Sequence, residues 1–294
     1  MGVVAAVPMI MGATMGTTIT NTLVSLGSVG RKAHFRRAFA AATVHDFFNL
    51  FAVIIFLPLQ LWTGFLSTAA HSITEALTSA GLVGSSDGDS FKSPIKVAVG
   101  FATHHINDFI TNVMGLSGTP AGVVTLIIGL VAIFFSLTAI TKTMRVVIAD
   151  KAEKSLNAAL KRSGIIAIAI GTVITMAVQS SSITTSLLVP LCAGGILSLE
   201  NAFPVMLGAN LGTTVTALLA SFATGAAGLE IALVHVLFNV SATVLIYPIP
   251  RIRRIPISMA RLLGVQAVRN KIWVTLYVVV TFIALPLSLI YFFD

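Results

Sequence analysis

Apolar residues fill this chain in long stretches, and a few polar clusters break them at defined points. Residues 38–66, 119–141, 229–250 and 272–293 are each long and apolar enough to read as a helix that crosses a bilayer, which needs about 20 mostly apolar residues. Residues 1–30 read as a broken apolar segment. Pro8, Gly12 and Gly16 interrupt it, and Thr17, Thr18, Thr20, Asn21 and Thr22 follow. Residues 163–178 and 183–197 are apolar runs separated by Gln179-Ser180-Ser181-Ser182. Pro204 is expected to open the next helix, where its missing N–H costs least, and residues 208–216 read as a second break.

The stretches between divide the chain further. Residues 67–118 read as an extracytoplasmic loop and connector, with Gly, Ser and Asp packed into residues 84–90. His104 and Asp108 in it stand four apart and share a helix face. Two ligands are too few for a metal site, so this is expected to be an interfacial face. Residues 142–162 are charged with spaced apolar positions and read as an amphipathic linker on the cytoplasmic surface. Residues 251–294 hold a basic connector and a last span. That leaves 1–66 and 163–250 as the two segments with breaks, on either side of the 119–141 helix.

Composition agrees with the pattern. Of 294 residues 56% are hydrophobic and 10% charged, against about 25% charged in soluble domains, and the mean hydropathy is +0.98. The expected class is an all-α membrane protein, a polytopic helical bundle. The net charge of +8 is then a topology signal, since Lys and Arg gather in cytoplasmic loops. No basic stretch is interleaved with aromatics, so nucleic acid is not an expected partner. The lone Cys192 excludes an intramolecular disulfide and gives no support to zinc or thiol chemistry. Residues 2–14 lack a positive n-region and do not read as a signal peptide.

The chain repeats itself. Residues 8–20 (PMIMGATMGTTIT) match residues 204–216 (PVMLGANLGTTVT) at a constant offset of 196, Gly12 to Gly208. His45, Phe48, Asn49 and Pro58 then match His235, Phe238, Asn239 and Pro248 at an offset of 190. Charge gives the direction. The first Gly-Thr-Thr is followed by Arg31, Lys32, Arg36 and Arg37, the second by the uncharged residues 221–228. After Pro58 comes the acidic loop with Asp87 and Asp89; after Pro248 come Arg251, Arg253 and Arg254. Matching ends therefore face opposite sides. This is an inverted-topology repeat with broken or re-entrant helices, as in many secondary transporters, whose sites lie at the repeat interface near the midplane.

The polar breaks are where binding chemistry is expected. A buried hydroxyl or amide without a partner costs about 1–3 kcal/mol, and the bilayer core has no water to offer. Four consecutive polar side chains at 179–182 therefore line a cavity that takes small ions. His45 with Asn49, and His235 with Asn239, share a helix face each and read as helix–helix hydrogen-bonding pairs. Asp46 reads as an interfacial partner of an arginine in 31–37.

The motif Gln179-Ser180-Ser181-Ser182 with Ile183-Thr184-Thr185-Ser186, then Ser198-Leu199-Glu200-Asn201-Ala202, Pro204 and residues 208–216, resembles the type II sodium-dependent phosphate cotransporter family. Residues 12–20 with Asn21 match in the first copy, and the resemblance covers most of 1–60 and 163–250. In that family Gln-Ser-Ser-Ser occurs once in each repeat. Projected back by 196, its first occurrence falls before Met1, so the chain is expected to be N-terminally truncated, the alternative being a divergent or defective member; Thr14 stands where the second copy has Asn210.

The resemblance implies sodium-coupled symport of inorganic phosphate by a multi-pass protein of the plasma (inner) membrane, with sodium as a transported ion and no cofactor. Gln179, Ser180, Ser181 and Ser182 would line the site and Thr184 and Thr185 support it. Asn210, Thr213 and Thr214 would supply oxygens from the facing break, with Gly208 and Gly212 allowing close approach. Thr14, Thr17, Thr18 and Asn21 would do so in the first copy. Sodium would fall to Gln179, Ser181, Ser182, Thr213 and Thr214. Neutral oxygens suit a hard cation, and Ser and Thr O–H, Gln N–H and a half-helix N-terminus suit an anion. No Lys or Arg stands in either break. Three alternatives stay open: another small anion as solute, a non-transporting fragment completed by another chain, and an intramembrane enzyme. The last would need His45 or His235 with a serine, and no Gly-x-Ser-x-Gly, His-Glu-x-x-His or paired aspartates support it.

Overall fold

Helices α3 (Lys32–Thr63) and α9 (Leu199–Ser221) carry most of the packing. The computed structural model describes residues 3–80, 94–129, 131–132, 164–222 and 224–287, and among them regular structure is all helical. The expected loop at 84–90 and linker at 142–162 lie outside the described residues. In chain order the remaining helices are α1 (Val3–Gly16), α2 (Ile19–Leu26), α4 (Phe65–Ser79), α5 (Pro94–Asp108), α6 (Gly118–Gly129), α7 (Gly164–Val178), α8 (Ser181–Gly194), α10 (Ala226–Ile246), α11 (Pro250–Arg269) and α12 (Ile272–Leu287). Among the described residues α3, α9 and α10 are long and apolar enough to cross a membrane. The chain is an all-α membrane protein.

The two copies pack by exchange. Helix α4 follows α3 and packs on α10, while α11 follows α10 and packs on α3. Helix α1 packs on α10 and its match α9 packs on α3. Phe56 meets Phe238 edge-on with centroids 6.1 Å apart, and Phe48 meets Phe203 at 5.9 Å. These rings anchor one large apolar core between the copies. The polar ends sort as charge predicts: Arg36 and Arg37 of α3 share a cavity with Arg261 of α11.

Three expectations need correction. Residues 67–79, expected in a polar loop, belong to α4. Leu66, Ala70 and Thr74, four apart, are buried, so the helix has an inward stripe that its polar composition disguises. Gly64 turns the chain at a positive φ of 63°, and Gln60 Oε1 accepts the Leu66 N–H at 2.8 Å. Pro204 does not open a helix: α9 begins at Leu199, capped by Ser198 Oγ, which accepts from Asn201 N at 3.3 Å. Residues 208–216 are not a break, because α9 runs through them unbroken.

The reason for that last difference is helix packing. Cβ atoms added at Gly208 and Gly212 would lie 2.0 Å from Ile168 O and 2.6 Å from Thr172 O, and one at Gly171 would lie 2.2 Å from Val205 O. Bare backbone lets α7 and α9 touch, which offsets the roughly 1 kcal/mol that a helical glycine costs. In the first copy the chain does break, at Thr17-Thr18 between α1 and α2.

Candidate functional site

Gln179 and Ser180 form the turn between α7 and α8. Gln179 has φ 54°, and among the described residues no other non-glycine has a positive φ. A left-handed side-chain-bearing residue costs roughly 1–2 kcal/mol, and such strain gathers where geometry serves function. Ser180 is the N-cap of α8: its Oγ accepts from Ile183 N at 3.2 Å. The first N–H groups of α8 and its positive dipole end therefore face the turn. At the other end Arg37 Nε donates to Ala193 O at 3.0 Å, which neutralises the negative end of the same helix.

The start of α8 docks on the α1–α2 break of the opposite copy. Ser182 Oγ donates to Thr17 O at 3.2 Å. Thr185 Oγ1 lies 2.9 Å from Asn21 Oδ1 and 2.8 Å from Ser181 O. Ser186 Oγ donates to Asn21 Oδ1 at 3.2 Å. Asn21 is fully buried, and its Nδ2 has no protein partner among the described residues. A buried amide donor without a partner is uncommon, and the same side chain is bonded through its Oδ1 to Thr185 and Ser186 near the start of α8. Thr184 accepts from Thr175 Oγ1 at 2.9 Å, and Thr175 in turn lies against Gly212.

Asn210 and Thr14 belong to a second cluster. Asn210 Oδ1 accepts from His45 Nε2 at 2.7 Å, and Asn210 Nδ2 donates to Asn49 Oδ1 at 2.8 Å. Asn49 Nδ2 donates to Thr14 O at 3.2 Å, and Thr14 Oγ1 lies 3.5 Å from His235 Nε2. Each copy's histidine thus reaches the residue at the Asn210 or Thr14 position of the other copy. Thr17, Thr18, Thr213 and Thr214 give their protons to carbonyls three or four residues back. Their oxygen lone pairs stay available to a cation. The structure brings Ser182, Thr185, Thr17 and Asn21 together; Asn210 bonds instead to His45 and Asn49.

Some participants were not read from the sequence. Thr175 sits at helical spacing on an apolar face, where a hydroxyl most often bonds its own backbone, and Ser186, though part of the motif at 179–186, was given no role. Asp46 is not an arginine partner. It is buried, and Tyr277 of α12 donates its hydroxyl to Asp46 Oδ2. The unpaired position of Asp46 in the repeat, against Val236, was the signal available. The exposed pair His104 and Asp108 is 3.2 Å apart, and among the described residues no group of three or more His, Cys, Asp or Glu could hold a metal.

Known proteins match this chain along nearly all its length. Sodium-dependent phosphate transport protein 2B of Bos taurus is 31% identical over 97% of the chain and 52% of its own length. Protein 2A of Rattus norvegicus is 32% identical over 96% and 54%, and 2B of Homo sapiens is 30% identical over 97% and 53%. The chain spans about half the length of these relatives. No solved structure matches it. The family model described as Na+/Pi-cotransporter matches residues 118–265, half of the chain. With its two repeat copies meeting at Gln179–Ser182 and Thr17–Asn21, the chain belongs to the Na+/Pi-cotransporter family.

Proposed function

We propose that this chain carries the site of a sodium-coupled symporter for inorganic phosphate. One observation carries the reading: the Gln179–Ser182 turn docks on the Thr17–Asn21 break of the inverted copy through Ser182 to Thr17 and Thr185 to Asn21. Two oppositely directed halves thereby offer uncharged oxygens and amides to one space. Phosphate binds the α8 N-terminus, the Ser181 and Ser182 hydroxyls, the Gln179 amide and the orphaned Asn21 Nδ2. Sodium binds oxygens of Gln179, Ser181, Ser182, Thr213 and Thr214. The absence of a cationic side chain in this group makes anion binding depend on the co-bound cation, which is the coupling a symporter needs. The same reading puts the chain in the plasma membrane as a multi-pass protein and needs no catalytic residue and no cofactor.

The test is uptake of radiolabelled phosphate into proteoliposomes under an imposed sodium gradient. Ser181→Ala and Gln179→Ala are expected to lower it at least about tenfold, the loss of one charge-assisted contact or more. Unchanged uptake in both variants removes these roles. The resemblance of phosphate to other tetrahedral oxyanions sets the second arm. Arsenate is expected to compete and sulfate not to; equal competition by sulfate favours another small anion as solute.

A further inference from the structure

Away from the repeat interface, α11 and the start of α9 enclose a cavity of about 590 Å3. Arg253, Arg254, Ser258 and Arg261 of α11 line it, with Asn201 of α9 and Tyr247. Glu200 is the one carboxylate in the lining, and it is paired with Arg261. Among the described residues Arg253 and Arg254 have no carboxylate partner. The Arg253 guanidinium stands 5.4 Å from the centroid of the Tyr247 ring, which holds its fork in place. Three guanidiniums against one carboxylate leave this cavity net positive by two. Arg254, Ser258 and Arg261, spaced four and three, share one flank of α11.

Beside that flank α11 exposes Ile255, Met259 and Leu262, also spaced four and three, at 41%, 42% and 62% of their surface. The opposite face of the helix, Ile257, Ala260, Gly264 and Ala267, is buried on the core. An arginine flank next to an exposed apolar stripe is the pattern of a helix at a lipid headgroup layer. Arginine forks suit phosphate oxygens, and the concentration of basic residues at this end marks it as cytoplasmic. We propose that this cleft binds the anionic phosphate headgroup of a phospholipid in the cytoplasmic leaflet, its acyl chains lying along Ile255, Met259 and Leu262. A free phosphate ion would use the arginines and leave the stripe idle; a lipid uses both. The site is separate from the transport reading and stands or falls without it.

The test titrates the detergent-solubilised full chain, without sodium, with dioctanoyl phosphatidic acid, dioctanoyl phosphatidylcholine and inorganic phosphate. Phosphatidic acid is expected to bind at least about tenfold tighter than the other two. R253Q/R254Q is expected to lose about tenfold, and R269Q, on α11 but outside the cavity, to lose nothing. E200Q frees Arg261 and is expected to tighten binding about threefold, a gain that misfolding cannot produce. Unchanged affinity in R253Q/R254Q, an equal loss in R269Q, no gain in E200Q, or displacement of the lipid by inorganic phosphate at equal concentration overturns the proposal.

Discussion

His45 Nε2 donates to Asn210 Oδ1 at 2.7 Å, with both side chains buried. The two residues lie in opposite copies of the repeat, on α3 and α9. The bond therefore ties one copy of the repeat to the other, and Asn49 extends it at 2.8 Å. Removing one member leaves the other's polar atoms buried and unpaired, at about 1–3 kcal/mol each. A double-mutant cycle of His45→Ala and Asn210→Ala, read by thermal unfolding in detergent, is expected to give a coupling of about 1 kcal/mol or more. Strictly additive losses would mean that the halves are held by apolar packing alone.

The glycines of the repeat are expected to behave differently in the two copies. Gly208 has Ile168 O within 2.0 Å of an added Cβ, while its match Gly12 has nothing within 4 Å. Gly208→Ala must push α7 off α9 and is expected to destabilise by about 2–3 kcal/mol. Gly12→Ala adds a methyl into open space and is expected to stabilise α1 by about 0.5–1 kcal/mol. Unfolding midpoints of the two variants, measured side by side, check both signs.

Gln179 carries strain at φ 54°. Gln179→Gly relieves it and is expected to raise stability by about 1 kcal/mol. The proposed amide contact to the solute goes with it, so sodium-driven phosphate uptake is expected to fall in the same variant. A variant that gains stability and keeps full uptake would show that the left-handed turn serves folding only.

Asp46 is held from α12 by the Tyr277 hydroxyl, while its Oδ1 has no protein partner among the described residues. Tyr277→Phe removes the α12 donor from a buried carboxyl. A loss of about 2–3 kcal/mol is expected, with faster amide exchange in α12 before the rest of the bundle. Uniform exchange across all helices would assign α12's docking to its ring contacts with Phe39 and Phe47.

Much of this fold was legible in one dimension, and the failures share a cause. Apolar run length found α3, α7, α8 and α10, because a bilayer-facing helix must be apolar along its whole length. The polar run at 179–182 marked the α7–α8 turn, since unpaired hydroxyls are tolerated only at a break or cavity. The misreadings came from glycine, proline and threonine. Gly-x-x-x-Gly-Thr-Thr breaks the chain after α1 yet continues as helix in α9. The same letters give both outcomes because the neighbour decides: α7 presses on Gly208 and Gly212, and nothing in the described structure presses on Gly12 and Gly16. Asp46 was misassigned for a related reason. Its partner Tyr277 stands 231 residues away, and no spacing rule connects them.

The amino-acid order alone settled the membrane class and the presence of two matching segments. Composition and the placement of positive charge act through the solvent, and every residue feels the solvent without needing a partner. Which polar groups meet was left to the tertiary structure. Ser182 against Thr17, Thr185 against Asn21 and His45 against Asn210 are contacts across 164–165 residues. A hydrogen bond is short-ranged and directional, so its partner is chosen only once the helices have packed.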